Sequence, residues 1–266
     1  MADPKKIPHT LIKPTKFIKS SDSLLGIKYE NAPETSKQIA KDYSRNNKLS
    51  DSTGKVMLTI YENGVSFSFD AVRDKNKIII PETNPVLVFF SNAEMFVRAS
   101  IVQQNNLFEK PSGFKGVKSV SINEFSNYFR PAVNCIVNLQ AALESFVNNK
   151  IPIIYDDNKE PINFSIFHKL DNLLPKTTTK KFSSFTGAKS HRKRIREVIE
   201  LRNEIIHLTP NYSSPRVYQD VYRRLLKFDF LKSLISVKYF INFYEENLIE
   251  ECCANEYYYA VESLKD

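Results

Sequence analysis

A cation inside an apolar helical stripe constrains this 266-residue chain more than any other feature. The stretch is GAKSHRKRIREVIELRNEIIHLTP, residues 187–210. Advancing about 100° per residue from Ile195, Ile199 and Ile206 fall near one direction, Val198 and Ile205 flank it, and Arg202 lies among them. His207 sits about 140° round the axis from Arg202, with Asn203 between the two directions. A guanidinium on a core-facing stripe costs on the order of several kcal/mol unless it is paired, reaches solvent or meets an anion. The chain must therefore build a helical core with an edge, a carboxylate or an anion at position 202.

A second helix offers the complementary charge. Residues 123–149 read as helical, with Pro131 suited to a first turn and the main helix expected over 131–148. Val133, Ile136, Val137, Leu143 and Val147 make one face, and Gln140 and Glu144 lie on it. Glu144 or Gln140 is expected within hydrogen-bonding reach of Arg202 or Asn203. Residues 151–182 connect the two helices, with Pro152, Pro161 and Pro175 and one short helix over 166–174. A long final helix is expected over 217–250, and a further turn near Tyr257 and Tyr259.

The first half of the chain has a different period. Residues 1–20 mix Lys, Pro and Thr without pattern and read as an arm, disordered or laid over the surface; 35–43 is a short helix in a polar stretch. KVMLTIY and VSFSFD alternate apolar and polar residues around Glu62-Asn63-Gly64, which predicts a hairpin. Residues 77–80 and 85–90 read as two more short strands, and 91–104 as a helix before a loop over 105–120. The fold class is thus α+β: an N-terminal arm and polar region (1–54), a small antiparallel β region (55–120) and a C-terminal helical bundle (121–266).

Composition narrows the chemistry. Apolar runs such as 85–90 are too short to cross a bilayer, and 1–16 lacks the apolar core of a secretory signal, so a cytoplasmic protein without membrane contact is expected. Cys135, Cys252 and Cys253 have no CxxC spacing and read as reduced thiols. The histidines His9, His168, His191 and His207 lack metal-ligand spacing, so neither a metal site nor a cofactor is drawn. The net charge of +8 collects near the start of the Arg202 helix, at Lys189, His191, Arg192, Lys193, Arg194 and Arg196. Cations there oppose the macrodipole, which leaves two readings open: a solvated face or a phosphate-binding surface for RNA.

Arg202-Asn203, three residues and His207, preceded by a helix with polar groups in its apolar face ending in ESFVN, resembles the HEPN superfamily over residues 121–247. The resemblance implies an all-α bundle that forms a homodimer, with the motifs of both protomers meeting in a cleft. It also implies a metal-independent endoribonuclease leaving 2′,3′-cyclic phosphate ends, of the kind found in bacterial defence and toxin systems with an antitoxin or regulatory protein as partner. Arg202 would hold the phosphate, His207 transfer the proton and Asn203 orient the ribose or the imidazole, with Glu144 and Gln140 supporting and Glu204 solvated on the outer side. Two other readings stand beside it. One is a catalytically inactive HEPN-like module that binds RNA, nucleotide or protein; the other is a plain structural pair between Arg202 and Glu144.

Overall fold

The computed structural model describes residues 9–18, 29–46, 57–62, 64–109, 118–184, 187–207 and 218–251. They form a three-stranded antiparallel sheet followed by a helical bundle, in two compact units spanning residues 12–85 and, for the other, 1–11 together with 86–266.

In the first unit, β1 (Met57–Tyr61), β2 (Gly64–Arg73) and β3 (Asn76–Pro81) lie in the order β1-β2-β3. The register pairs Tyr61 with Gly64 and Arg73 with Asn76, so the alternating pattern does close hairpins; Asn63 lies outside the described residues. The second turn holds Asp74 and Lys75 at φ 51° and 67°, the twist-matched turn that usually attracts Asn-Gly and here contains no glycine. Helix α1 (Glu34–Asn46) covers the sheet, with Tyr43 edge-on to Phe67 at 5.4 Å and Ser36 Oγ donating to the Glu62 carbonyl at 2.6 Å. Part of the arm is laid on this unit: Phe17 bridges Ser66, Pro14 bridges Thr83, and Lys16 Nζ stands 4.9 Å from the Tyr43 ring centre.

Residues 85–90 are not a strand. They open α2 (Pro85–Phe108), in which Val86, Leu87, Phe90, Ala93, Val97 and Ile101 are buried at helical spacing. Pro85 occupies the first helical turn, where its missing N–H costs nothing, and the apolar run continues in register with the helix expected after it. At 24 residues α2 is also long and apolar enough, by length and composition, to cross a bilayer, which the short apolar runs did not suggest. Its inner face belongs to the core shared with the other bundle helices and includes the carboxylate of Glu94.

The remaining helices are α3 (Ile122–Lys150), α4 (Ile166–His168), α5 (Leu174–Thr177), α6 (Ala188–Ile206), α7 (Gln219–Leu226) and α8 (Phe230–Tyr244). A π-helical turn, Lys169–Leu173, joins α4 to α5 without a break. Helix α3 begins nine residues before Pro131, because Ser121 and Glu124 form a reciprocal capping box: Ser121 Oγ accepts from the Glu124 amide at 3.2 Å and Glu124 Oε2 from the Ser121 amide at 2.8 Å. Pro131 therefore lies inside the helix.

The long final helix is two helices. The chain breaks over residues 227–229, where the Phe228 amide turns back to the Leu225 carbonyl at 3.1 Å and Asp229 caps α8 by accepting from the Lys232 amide at 3.0 Å. Leu225, Phe228 and Phe230 stay buried through the break, so hydrophobic spacing concealed it. Tyr257 and Tyr259 lie outside the described residues. Helix α6 packs against both α3 and α8, and Phe182 inserts between the bundle elements, edge-on to Phe240 at 5.0 Å and Phe243 at 5.3 Å.

Candidate functional site

Helix α6 is entered through Gly187 at φ 82°, a conformation in which a side chain is strained, and it buries Ala188, Ile195, Val198, Ile199, Leu201 and Ile205. Its cations divide by direction. His191 points inward: its ring packs 5.1 Å from Tyr239 and Nδ1 lies 3.0 Å from Ser236 Oγ. Ser236 spends its own proton on the Lys232 carbonyl at 2.7 Å, so the proton of this contact sits on His191 Nδ1. His191 is thus a packing residue rather than part of the basic surface. Arg194 lies 3.5 Å from Glu197 and 3.9 Å from Asp229.

Arg192 and Arg196 share one carboxylate. Nη2 of each is 2.6 Å from an Asp171 oxygen, Arg192 from Oδ1 and Arg196 from Oδ2, and the Arg196 guanidinium lies 5.3 Å from the Phe167 ring centre. Lys189 and Lys193 project into solvent, and neither makes an ion pair among the described residues. A groove of about 720 Å³ runs along this face, lined by Lys189, Arg192, Lys193, Arg196 and Arg224. A smaller cavity of about 200 Å³, with Phe167, Phe182 and Tyr244 in its wall, meets the groove at Ser183, Arg192 and Arg196. Asp171 and Arg224 carry no local sequence signal, since each arrives from a separate helical segment.

At the far end of α6 the stripe emerges from the core. Ile206, expected inside, is 50% exposed. Arg202 is half-buried and donates from Nη1 to Asn203 Oδ1 at 3.1 Å. His207 is exposed and ends the helix, its amide bonded to the Asn203 carbonyl at 3.0 Å. Glu204 is not simply solvated: its carboxylate pairs with Arg224 of α7, which also lies 3.9 Å from Glu200.

The cross-bundle pair with Arg202 is missing. No hydrogen bond or ion pair among the described residues joins Gln140 or Glu144 to Arg202 or Asn203. Glu144 is half-buried, whereas Gln140 is 3% exposed and its Oε1 has no hydrogen-bond partner among the described residues. Arg202 is consequently the one α6 arginine without a carboxylate, among the described residues.

Cys135 is a buried free thiol whose pKa burial pushes up, which makes it a core residue rather than a nucleophile. Among the described residues no group of His, Cys, Asp and Glu is placed to hold a metal ion. Comparison with known proteins adds nothing to this geometry: no family model, no curated protein and no solved structure matches the chain.

Proposed function

We propose that the chain is a metal-independent endoribonuclease of the HEPN type, acting as a homodimer through Arg202, Asn203 and His207. One observation carries the reading: Arg202 is a half-buried guanidinium held by a neutral amide, with no carboxylate partner among the described residues. The other three α6 arginines are matched to Asp171, Glu197 or Asp229, so this position is the one left to receive a negative charge from outside. A phosphodiester supplies that charge. The finding also weighs against the plain structural pair, which required Glu144 at Arg202.

The chemistry follows from the residue types. The ribose 2′-oxygen attacks phosphorus, a new P–O2′ bond forms and the P–O5′ bond breaks, leaving a 2′,3′-cyclic phosphate and a 5′-hydroxyl. Arg202 stabilises the charge that builds on the non-bridging oxygens. A neutral imidazole at His207 takes the 2′ proton, and the imidazolium of a second protomer's copy gives one to the departing 5′ oxygen. Exposed Ile206, between the two motif side chains in sequence, supplies apolar surface for that second protomer to cover.

The test uses single-stranded RNA, excess chelator and chemical identification of product ends. His207→Ala is expected to lower cleavage by about 10²-fold or more with RNA affinity little changed. Full cleavage by that variant, or cleavage only with added divalent metal, overturns the acid–base role and favours an RNA-binding module.

A further inference from the structure

We infer that the aromatic cavity and the basic groove beside the first half of α6 form a subsite for one nucleotide of single-stranded RNA, its base in the cavity and its phosphates on Lys189 and Lys193. The inference rests on the nuclease reading for its choice of polymer, but the subsite is separate from Arg202 and His207.

Three features point to a base next to phosphates. The cavity, about 200 Å³, is smaller than the roughly 300–1,000 Å³ of sites that enclose whole small molecules, so it suits a single ring system. Its wall is built from Phe167, Leu170, Phe182, Phe240 and Tyr244, and its rim carries the Asp171 carboxylate and the exposed Ser183 hydroxyl. An apolar slot with a carboxylate at its lip accepts the flat faces of a base and the hydrogens of an exocyclic amine or a ribose hydroxyl.

The adjoining groove suits the backbone. Cavity and groove together are lined by six Lys or Arg side chains against three carboxylates, so the surface is net positive. Asp171 fixes Arg192 and Arg196 at the boundary, and the pairing leaves further guanidinium N–H groups of both to donate. Lys189 and Lys193, one helical turn apart on the groove wall, make no ion pair among the described residues, and neither does Lys181 in the cavity lining. A purely solvated charged face would not need an aromatic-walled slot opening between its arginines.

The helix also sets a direction. Lys189, Arg196 and Asn203 recur every seven residues and so share a face of α6, which His207 continues one turn later. From Arg192 to His207 the axis runs about 22 Å, a distance spanned by about six stacked nucleotides at roughly 3.4 Å each. Glu200 and Glu204 lie between, and Arg224 offsets both. A base lodged in the cavity must be unpaired, so the expected substrate is single-stranded and longer than a few nucleotides.

The experiment measures anisotropy of a labelled 12-nucleotide RNA on His207→Ala protein, so that the probe stays intact, with an abasic 12-mer and AMP as further probes. Intact RNA is expected to bind about tenfold more tightly than abasic RNA. Lys189→Gln with Lys193→Gln should lower the slope of log affinity against log salt by about 1.4, roughly 0.7 for each lost phosphate contact. Phe167→Ala should erase the difference between intact and abasic RNA, and Ser183→Phe, at an exposed rim position, should do the same without opening the core. Equal binding of the two RNAs, or an unchanged salt slope in the lysine variant, overturns the subsite. AMP binding as tightly as the 12-mer overturns the RNA strand in favour of a free nucleotide. Cleavage by the unaltered protein is scored separately, so a failed nuclease and a failed subsite give different results.

Discussion

Arg202 Nη1 and Asn203 Oδ1, on consecutive residues of α6, are 3.1 Å apart, and this neutral acceptor is the guanidinium's partner where Glu144 or Gln140 was expected. The amide fixes the planar fork without cancelling its charge. Asn203→Ala should therefore lower kcat/KM for single-stranded RNA by about tenfold, the cost of losing one hydrogen bond to a charged group. Arg202→Lys should lose at least as much, because an ammonium keeps the charge but cannot hold two oxygens in one plane. Steady-state cleavage with chelator present checks both, and full activity in Asn203→Ala would show that the contact orients nothing.

Gln140 makes a prediction of opposite sign. Its side chain is 3% exposed and Oε1 is unsatisfied, an arrangement that costs about 1–3 kcal/mol in a protein interior. Gln140→Met, of similar shape, should stabilise by about 1 kcal/mol, or raise the midpoint of thermal unfolding by roughly 2–4 °C. A lower midpoint would mean that the amide has a partner worth keeping.

Glu94 gives the bundle a pH dependence. Burial is the main cause of its raised pKa, about 7, against the opposing effects of the Thr10 amide 2.6 Å away and the Arg98 and Lys238 charges. The folded state holds this proton more tightly than the unfolded chain, so the stability it contributes is complete below the unfolded pKa of about 4.3. It is lost as pH rises to about 7, by at most about 4 kcal/mol. Glu94→Gln keeps an acceptor for the Thr10 amide and should flatten that decline. Denaturant titrations at pH 5 and pH 8 would measure it, and parallel curves for the two proteins would rule out Glu94 as the source.

Tyr128 ties α3 to the break between α7 and α8. Its buried hydroxyl donates 2.6 Å to the Leu225 carbonyl, the same carbonyl that turns the chain at Phe228. Tyr128→Phe should cost about 1–2 kcal/mol, read as a lower denaturation midpoint with an unchanged m-value. No loss would mean that water replaces the hydroxyl.

How much of this was legible depends on how local each signal is. The first hairpin announces itself through alternation, whereas the Asp74-Lys75 turn uses two residues that give no glycine signal. Pro85 reads equally well as an edge-strand residue or a first helical turn, and only the burial of Val86, Leu87 and Phe90 on one helical face separates them. The Ser121-Glu124 capping box was readable and was overshadowed by Pro131. In the candidate site, the misplaced charge at Arg202 could be seen from periodicity. What periodicity cannot supply is the relative rotation of two packed helices, so neither the unpaired state of Gln140 Oε1 nor the double use of Asp171 was in reach.

The arm contact at Glu94 sets an order of events during synthesis. Thr10 bridges Glu251 and the Leu11 amide bonds the Glu250 carbonyl at 3.1 Å, while the Thr10 amide is also the hydrogen-bond donor to Glu94. At roughly 5–20 residues per second, the ribosome takes on the order of ten seconds or more to add the residues between arm and partner. Until residue 251 emerges, the bridge at Thr10 has no second strand. This contact thus joins residues from opposite ends of the described chain, and its ordering cost is met only once the intervening residues have been made.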